Sequence, residues 1–181
     1  MLAAAAAGCD GLGENYAQEL AAKVHELADA ADHVRWHFLG RLQTNKVRRL
    51  ADAVAVWESV DRPALIDELV HRAPGTTVLV QVAATGEEHK GGCRPDDVAG
   101  LVDRARDGGL AVAGLMTVGP TEGGAEAARP AFRLVRELSD ELGLAVRSMG
   151  MSADLEVAVE EGSTQVRLGT ALFGARQSAP G

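Results

Sequence analysis

The sequence is poor in aromatic residues and in cysteine, and it has no long apolar run. Phe, Trp and Tyr together supply 3% of 181 residues, which excludes a series of aromatic platforms for single-stranded nucleic acid. Cys9 and Cys93 lie outside any CxxC pattern or metal-ligand spacing, so we expect reduced thiols in the cytoplasm and no metal site. No stretch approaches the roughly 20 apolar residues of a membrane span, so none is predicted.

Net positive charge is also absent. The formal charge is −8, which argues against a broad nucleic-acid-binding face. The one basic run, residues 46–49, is typical of the outer face of a helix. The opening residues lack the basic segment of a signal peptide, and we interpret their alanine-rich turn as the end of a helix that stops at Gly8.

What the sequence has is an alternation of strand and helix patterns along its whole length. The predicted strands are residues 11–13, 34–39, 53–59, 76–83, 110–118, 145–148 and 166–173. The first predicted helix is capped by Asn15, and the later ones cover 42–51, 63–72, 95–107, a segment from near Pro130 to Leu142, and 153–161. Strands that alternate with helices imply right-handed crossovers and a parallel sheet, here in a single domain of residues 1–181.

Two architectures fit this alternation, an open doubly wound sheet and a (β/α)8 barrel. A barrel needs eight strands, and seven are predicted. The chain also begins inside a helix pattern, so a missing first strand would explain both observations. In a barrel, ligands lie at the carboxyl ends of the strands, and the residues that follow each predicted strand are therefore the candidates for a site.

Small and hydroxyl-bearing residues follow the last two predicted strands. They are Ser148, Gly150 and Ser152 after one strand, and Gly169 and Thr170 in the next. Phosphate sites of barrels often form in this region, from hydroxyls, a close backbone and a helix N-terminus. Each stretch alone is equally consistent with a helix cap and a tight turn, but two in succession favour an anion site. Asp154 and Glu156 count against an anion, since they compete for the same helix end.

Three other residues carry alternatives that the sequence leaves open. Arg167 lies inside an apolar strand, where an arginine is costly unless it pairs with a carboxylate, faces the barrel mouth or contacts a ligand. Lys90 follows the strongest strand pattern, either as a solvated loop residue or as an ammonium near the anion. His37, at a strand end, favours a structural hydrogen bond over general base work. No nucleophile triad, dinucleotide fingerprint or Walker A motif is present, so no catalytic residue is predicted.

Five blocks of the sequence are specific enough to compare with known families. They are residues 13–19, residues 36–46, residues 114–116, residues 148–152 and residues 166–176. In this order, along nearly the whole chain, they resemble the pyridoxal phosphate homeostasis protein family. The resemblance implies a (β/α)8 TIM barrel of the alanine racemase N-terminal type, without the second domain of the racemase.

The same resemblance implies a cofactor and the residues that hold it. The family is a non-catalytic carrier of pyridoxal 5′-phosphate (PLP) in intracellular PLP homeostasis, with PLP-dependent apoenzymes as candidate recipients. By resemblance, the phosphate contacts are Ser148, Gly150, Met151, Ser152, Gly169 and Thr170. Arg167 matches the arginine at the pyridine nitrogen, where it would keep that nitrogen unprotonated and weaken the ring as an electron sink. Asn15 is implied near the ring, and Lys90 matches a second lysine that accepts PLP transiently as an imine.

The sequence departs from the family at the covalent anchor. The family's Schiff-base lysine lies on the first strand, in a stretch like Val-Ser-Lys-Thr-Lys-Pro, and no such stretch occurs here. The lysines present are Lys23, Lys46 and Lys90, and none matches it. We therefore expect a chain truncated at its N-terminus, of low stability, that binds PLP weakly and without a covalent bond.

Two alternatives remain at this point. One is a racemase-like PLP enzyme or another phosphate-ligand barrel enzyme, although racemase chemistry needs a second base and the sequence has a single tyrosine, Tyr16, and no second domain. The other is a folded or partly folded scaffold that binds no ligand.

Overall fold

The computed structural model describes residues 1–27, 33–87 and 90–174, and these form one seven-stranded sheet. The strands are β1 (Gly11–Glu14), β2 (Arg35–Phe38), β3 (Val54–Val60), β4 (Thr77–Gln81), β5 (Ala111–Met116), β6 (Val146–Met151) and β7 (Gln165–Arg167). They lie in sequence order, and every neighbouring pair is parallel. A doubly wound sheet reverses its strand order at a switch point, so this order excludes that alternative and supports the barrel.

One helix precedes the first strand, one follows the last, and the others lie between strands. The helices are α1 (Leu2–Ala6), α2 (Ala17–Leu27), α3 (Val47–Leu50), α4 (Pro63–Arg72), α5 (Val98–Asp107), α6 (Arg129–Glu141), α7 (Leu155–Glu160) and α8 (Thr170–Phe173). Pro63 and Pro130 occupy first-turn positions, where a missing N–H costs nothing. A 3-10 turn at Thr44–Lys46 replaces the first part of the helix predicted for 42–51.

Two predicted boundaries are wrong. The last strand ends at Arg167 instead of running to residue 173, because the chain turns at Gly169 (φ −113°, ψ −83°) and residues Thr170–Phe173 form α8. The first long helix begins at Ala17, so Asn15 does not occupy its cap position. A Cβ on Gly40 would lie 1.8 Å from the backbone oxygen of Asn15, so Asn15 is packed tightly against the neighbouring strand end instead.

The sheet curves into a nearly closed barrel. The side chain of Glu58 on β3 reaches Ser148 on β6 and Gln165 on β7, which an open flat sheet would hold far apart. Within the described ranges, β1 pairs only with β2 and β7 only with β6, so both strands form edges of the sheet. The predicted barrel fold with seven strands is thus confirmed.

Apolar side chains fill both faces of the sheet, as parallel sheets require. The main core lies between the sheet and its helices and includes Trp57 together with Leu65 and Leu69 of α4. A small second cluster of Val56, Leu79 and Met116 lies apart from it. No helix in the described part of the chain has the length and apolar character needed to cross a membrane.

Candidate functional site

A buried carboxylate on one strand of the barrel bonds to side chains of three other strands. The Glu58 side chain on β3 is fully buried and accepts hydrogen bonds of 2.6 Å from His37 Nδ1, Ser148 Oγ and Gln165 Nε2. Burial raises the pKa of Glu58, but the bonds from His37 and Ser148 and the charge of Arg167 outweigh burial and hold the pKa below its usual value. Glu58 is therefore ionised at neutral pH.

Arg167, at the end of β7, joins the same network. Its Nη1 donates to Ser148 Oγ at 2.7 Å, and its Nη2 donates to the backbone oxygen of Thr117 at 2.7 Å. Burial lowers the pKa of Arg167, while the charges of Glu58 and Asp154 act in the opposite direction. A guanidinium stays protonated in proteins, so Arg167 is a cation compensated by Glu58 through the Ser148 hydroxyl.

The two predicted phosphate stretches meet at the carboxyl end of the sheet. Ser152 Oγ accepts a hydrogen bond of 3.3 Å from the backbone N–H of Ala171 and lies 3.4 Å from Thr170 Oγ1. Both hydroxyl residues are exposed, and Gly169 directly precedes Thr170 at the start of α8. The Ala171 N–H is used by Ser152, and the exposed hydroxyls of Ser152 and Thr170 are the donors at this place that suit an anion.

Gly150 and Met151 shape the turn that leads to Ser152. Gly150 has φ +95°, and a Cβ there would lie 2.4 Å from the Cβ of Ala158 in α7, so only glycine fits. The backbone N–H of Met151 donates to Asp154 Oδ1 at 2.6 Å, so this N–H is already used. The Met151 side chain is 38% exposed. Asp154 therefore occupies a donor of the turn, but it makes no side-chain bond to the N-terminus of α7, where the sequence had indicated competition.

Ser148 lies apart from the exposed part of its predicted group. It is fully buried, and its hydroxyl lies between Glu58 and Arg167. The structure thus associates Ser148 with the Arg167 side of the site, while Ser152 and Thr170 form the exposed side. Met151 and Arg167 are register partners on β6 and β7, which keeps the two sides adjacent.

Lys90 is held beside the same turn. Its Nζ donates to the backbone oxygen of Gly119 and pairs with Glu87, and its side chain is only 17% exposed. The interpretation of Lys90 as a solvated loop residue is therefore wrong. A Cβ on Gly119 would lie 2.6 Å from Asp154 Oδ2, so the Lys90 partner packs directly against the β6–α7 turn.

Asn15 lies at a different part of the barrel rim. It lines a cavity of about 630 Å³ at the ends of β1, β2 and β3. The other residues that line it are Tyr16, Ala17, Gln18, Phe38, Arg41, Leu42, Gln43, Lys46, Asp61 and Arg62. The structure does not bring Asn15 into contact with Ser152 or Thr170.

Sequence reasoning placed Glu58 and Thr117 among the residues at strand ends but gave neither a role in the site, and it missed Gln165. Glu58 carried a readable signal, because an acid inside the apolar run Val54–Val60 is as costly as an arginine inside the last strand. These opposite charges in two apolar strands indicate a pair across the barrel. The part of the chain that the structure describes contains no group of three or more His, Cys, Asp or Glu residues suited to a metal ion.

Comparison with known proteins gives a consistent result. The family model described as "Alanine racemase, N-terminal domain" matches residues 1–177. The pyridoxal phosphate homeostasis protein of Aquifex aeolicus is 45% identical over 176 residues, which cover 91% of this chain and 76% of that protein. Its counterpart from Pseudomonas aeruginosa is 42% identical over 178 residues, covering 94% and 76%.

Solved structures show the same relationship. PipY of Synechococcus elongatus with PLP bound has a TM-score of 0.82 and 32% identity, over 95% of this chain and 85% of that one. PipY without PLP has a TM-score of 0.88 and 35% identity over the same shares. The alanine racemase of Corynebacterium glutamicum has a TM-score of 0.72 at 18% identity, over 97% of this chain and 51% of that one, which shows the fold alone.

Proposed function

Because this chain belongs to the pyridoxal phosphate homeostasis protein family, built on the N-terminal domain of alanine racemase, we propose that it is a single-domain, non-catalytic PLP-binding protein. Its role is to hold PLP and release it to PLP-dependent apoenzymes. The observation that carries the proposal is the juxtaposition of a half-buried, oriented Arg167 with the exposed hydroxyls of Ser152 and Thr170.

The exposed side of the site fits the phosphate of PLP. Ser152 Oγ, Thr170 Oγ1 and the backbone near Gly169 supply donors, and Gly150 and Met151 form the turn that presents them. A Cβ on Gly169 would meet no atom within 4 Å, so the backbone there is open to a ligand. Donors with this spacing and exposure suit a phosphate monoester.

The buried side fits the pyridine ring. Arg167 uses Nη1 and Nη2 on Ser148 and Thr117, and its other N–H groups remain to donate to a ring nitrogen. PLP supplies electron-sink chemistry when its ring nitrogen is protonated. A guanidinium does not give up its proton, so Arg167 keeps that nitrogen an acceptor, which supports a carrier over an enzyme.

The positions of the three lysines support weak binding of the aldehyde group of PLP. Lys23 pairs with Glu14 and Glu19, and Lys46 lies at the separate cavity that Asn15 lines. Lys90 lies beside the β6–α7 turn but pairs with Glu87. We propose that PLP is held mainly by non-covalent contacts, that Lys90 accepts it only transiently as an imine, and that Asn15 is a rim contact.

Titration with PLP, followed by the absorbance of the bound cofactor, tests this function. The double variant Ser152→Ala/Thr170→Ala should weaken binding about tenfold or more, because it removes two hydroxyl donors to a charged group. Thr44→Ala, which removes a hydroxyl near α3, should leave binding unchanged. Absence of PLP binding by the unsubstituted chain would refute the proposal, and racemisation of alanine by the PLP-loaded chain would refute the non-catalytic part.

A further inference from the structure

We propose that Glu58 is a positioning residue that orients Arg167 through the hydroxyl of Ser148. The inference rests on the proposed function, because it assigns the direction in which Arg167 presents its donors to a ring nitrogen. Nothing in the sequence near residue 167 supplies this orientation, since the carboxylate comes from β3, on the other side of the barrel interior.

The hydrogen-bond chain has only one possible polarity. Ionised Glu58 can only accept, and Arg167 can only donate. The single proton of the Ser148 hydroxyl must therefore point to Glu58 Oε2, at 2.6 Å, and its lone pair must face Arg167 Nη1, at 2.7 Å. The hydroxyl is thus locked in rotation, and the guanidinium that donates to it is locked as well.

The carboxylate itself is fixed by further donors. Glu58 Oε1 accepts from His37 Nδ1 on β2 and from Gln165 Nε2 on β7, each at 2.6 Å. Glu58 has no exposure to solvent, so water does not replace any of these partners. Because residues of β2, β6 and β7 hold the Glu58 carboxylate at once, its position is fixed. The position of the Arg167 guanidinium therefore depends on that of the carboxylate.

The negative charge of Glu58 explains why a glutamate, and not a glutamine, can orient Arg167 from position 58. Arg167 is half-buried, and a cation that loses its main compensating carboxylate moves toward solvent or draws in a counter-ion. When Glu58 is ionised, its negative charge balances that of the Arg167 guanidinium inside the barrel. The guanidinium then remains between Ser148 and the backbone oxygen of Thr117. Glu58→Gln removes the charge at constant size, and Ser148→Ala removes the link.

The first experiment measures the mobility of the Arg167 side chain directly, in the absence of PLP. Side-chain NMR of the guanidinium should give separate, slowly exchanging Nη signals, assigned by their loss in Arg167→Lys. In Ser148→Ala and Glu58→Gln these signals should collapse through free rotation and fast exchange. Ser139→Ala, which removes another fully buried hydroxyl in α6, should leave them intact. Unchanged Arg167 signals in both test variants would overturn the inference, whatever the protein does with PLP.

The second experiment uses PLP labelled with ¹⁵N in the ring. Ser148→Ala and Glu58→Gln should move the ring ¹⁵N shift toward that of free PLP, leave the bound ³¹P shift in place, and weaken binding about tenfold. If the ¹⁵N and ³¹P shifts both moved to those of free PLP in a variant whose circular dichroism is unchanged, Glu58 and Ser148 would not act specifically through Arg167. A free-PLP ³¹P shift with the unsubstituted protein would refute the PLP function instead, and the Arg167 signals would still decide the positioning.

Discussion

Gly150 and Ala158 stand so close that no side chain fits between them: a Cβ on Gly150 would lie 2.4 Å from the Cβ of Ala158. Gly150 also has φ +95°, a conformation that L residues rarely adopt. Gly150→Ala should therefore lower the free energy of unfolding by about 2–4 kcal/mol, from backbone strain and overpacking together. Urea denaturation measures this loss, and the phosphate turn should loosen with it.

Gly100→Ala is the matched control for that variant. Gly100 is exposed within α5, and a Cβ there would meet no atom within 4 Å. Alanine in a helix interior is favoured over glycine by about 1 kcal/mol, so this variant should be more stable. If the two variants changed stability alike, the close packing of the β6–α7 turn would not be the cause.

The difference between local and distant contacts decides what the sequence could predict. The alternation of strand and helix patterns was enough for a parallel sheet, and the family resemblance then selected the barrel. The two Ser/Gly/Thr stretches indicated an anion site, which stays a prediction. The Glu58 network could not be predicted in the same way. Glu58 bonds to Ser148 and Gln165, which lie 90 and 107 positions further along the chain. The end of the last strand was also misplaced, because Leu172 and Phe173 are apolar but exposed on α8.

The buried carboxylate predicts a specific pH dependence of stability. The folded-state pKa of Glu58 lies below its ordinary value of 4.5, so folding favours the ionised form. The stabilisation is fully present above pH 4.5 and is lost as the pH falls through the folded pKa. Glu58→Gln removes it, so the stability gap between the unsubstituted protein and the variant should be widest at pH 7 and should shrink below pH 4.5. Urea titrations of both proteins across this range measure the gap, and a constant gap would contradict the assignment.

The two cysteines should differ sharply in reactivity. Burial raises the pKa of Cys93 to about 12, whereas Cys9 is partly exposed. The thiolate is the reactive form, so iodoacetamide at pH 8 should label Cys9 in the native protein and leave Cys93 unlabelled until urea unfolds the chain. Mass spectrometry of tryptic peptides separates the sites, and Cys9→Ser identifies any residual label on Cys93. Equal labelling rates under native conditions would show that the β4 end of the barrel opens readily.

The ion pair between Glu87 and Lys90 predicts how the aldehyde of PLP is captured. Lys90 holds the pKa of Glu87 down at about 2, and an ammonium paired in this way is not a nucleophile. Incubation with PLP followed by borohydride should therefore give little adduct on Lys90 in the unsubstituted chain. Glu87→Gln should increase that adduct, because it frees the amine beside the β6–α7 turn. Glu122→Gln, which removes an exposed carboxylate in the β5–α6 loop, should not increase it. Equal adduct yields in all three proteins would exclude Glu87 as the restraint on Lys90, whereas a larger yield on Lys23 or Lys46 would transfer the role of Lys90 to that residue.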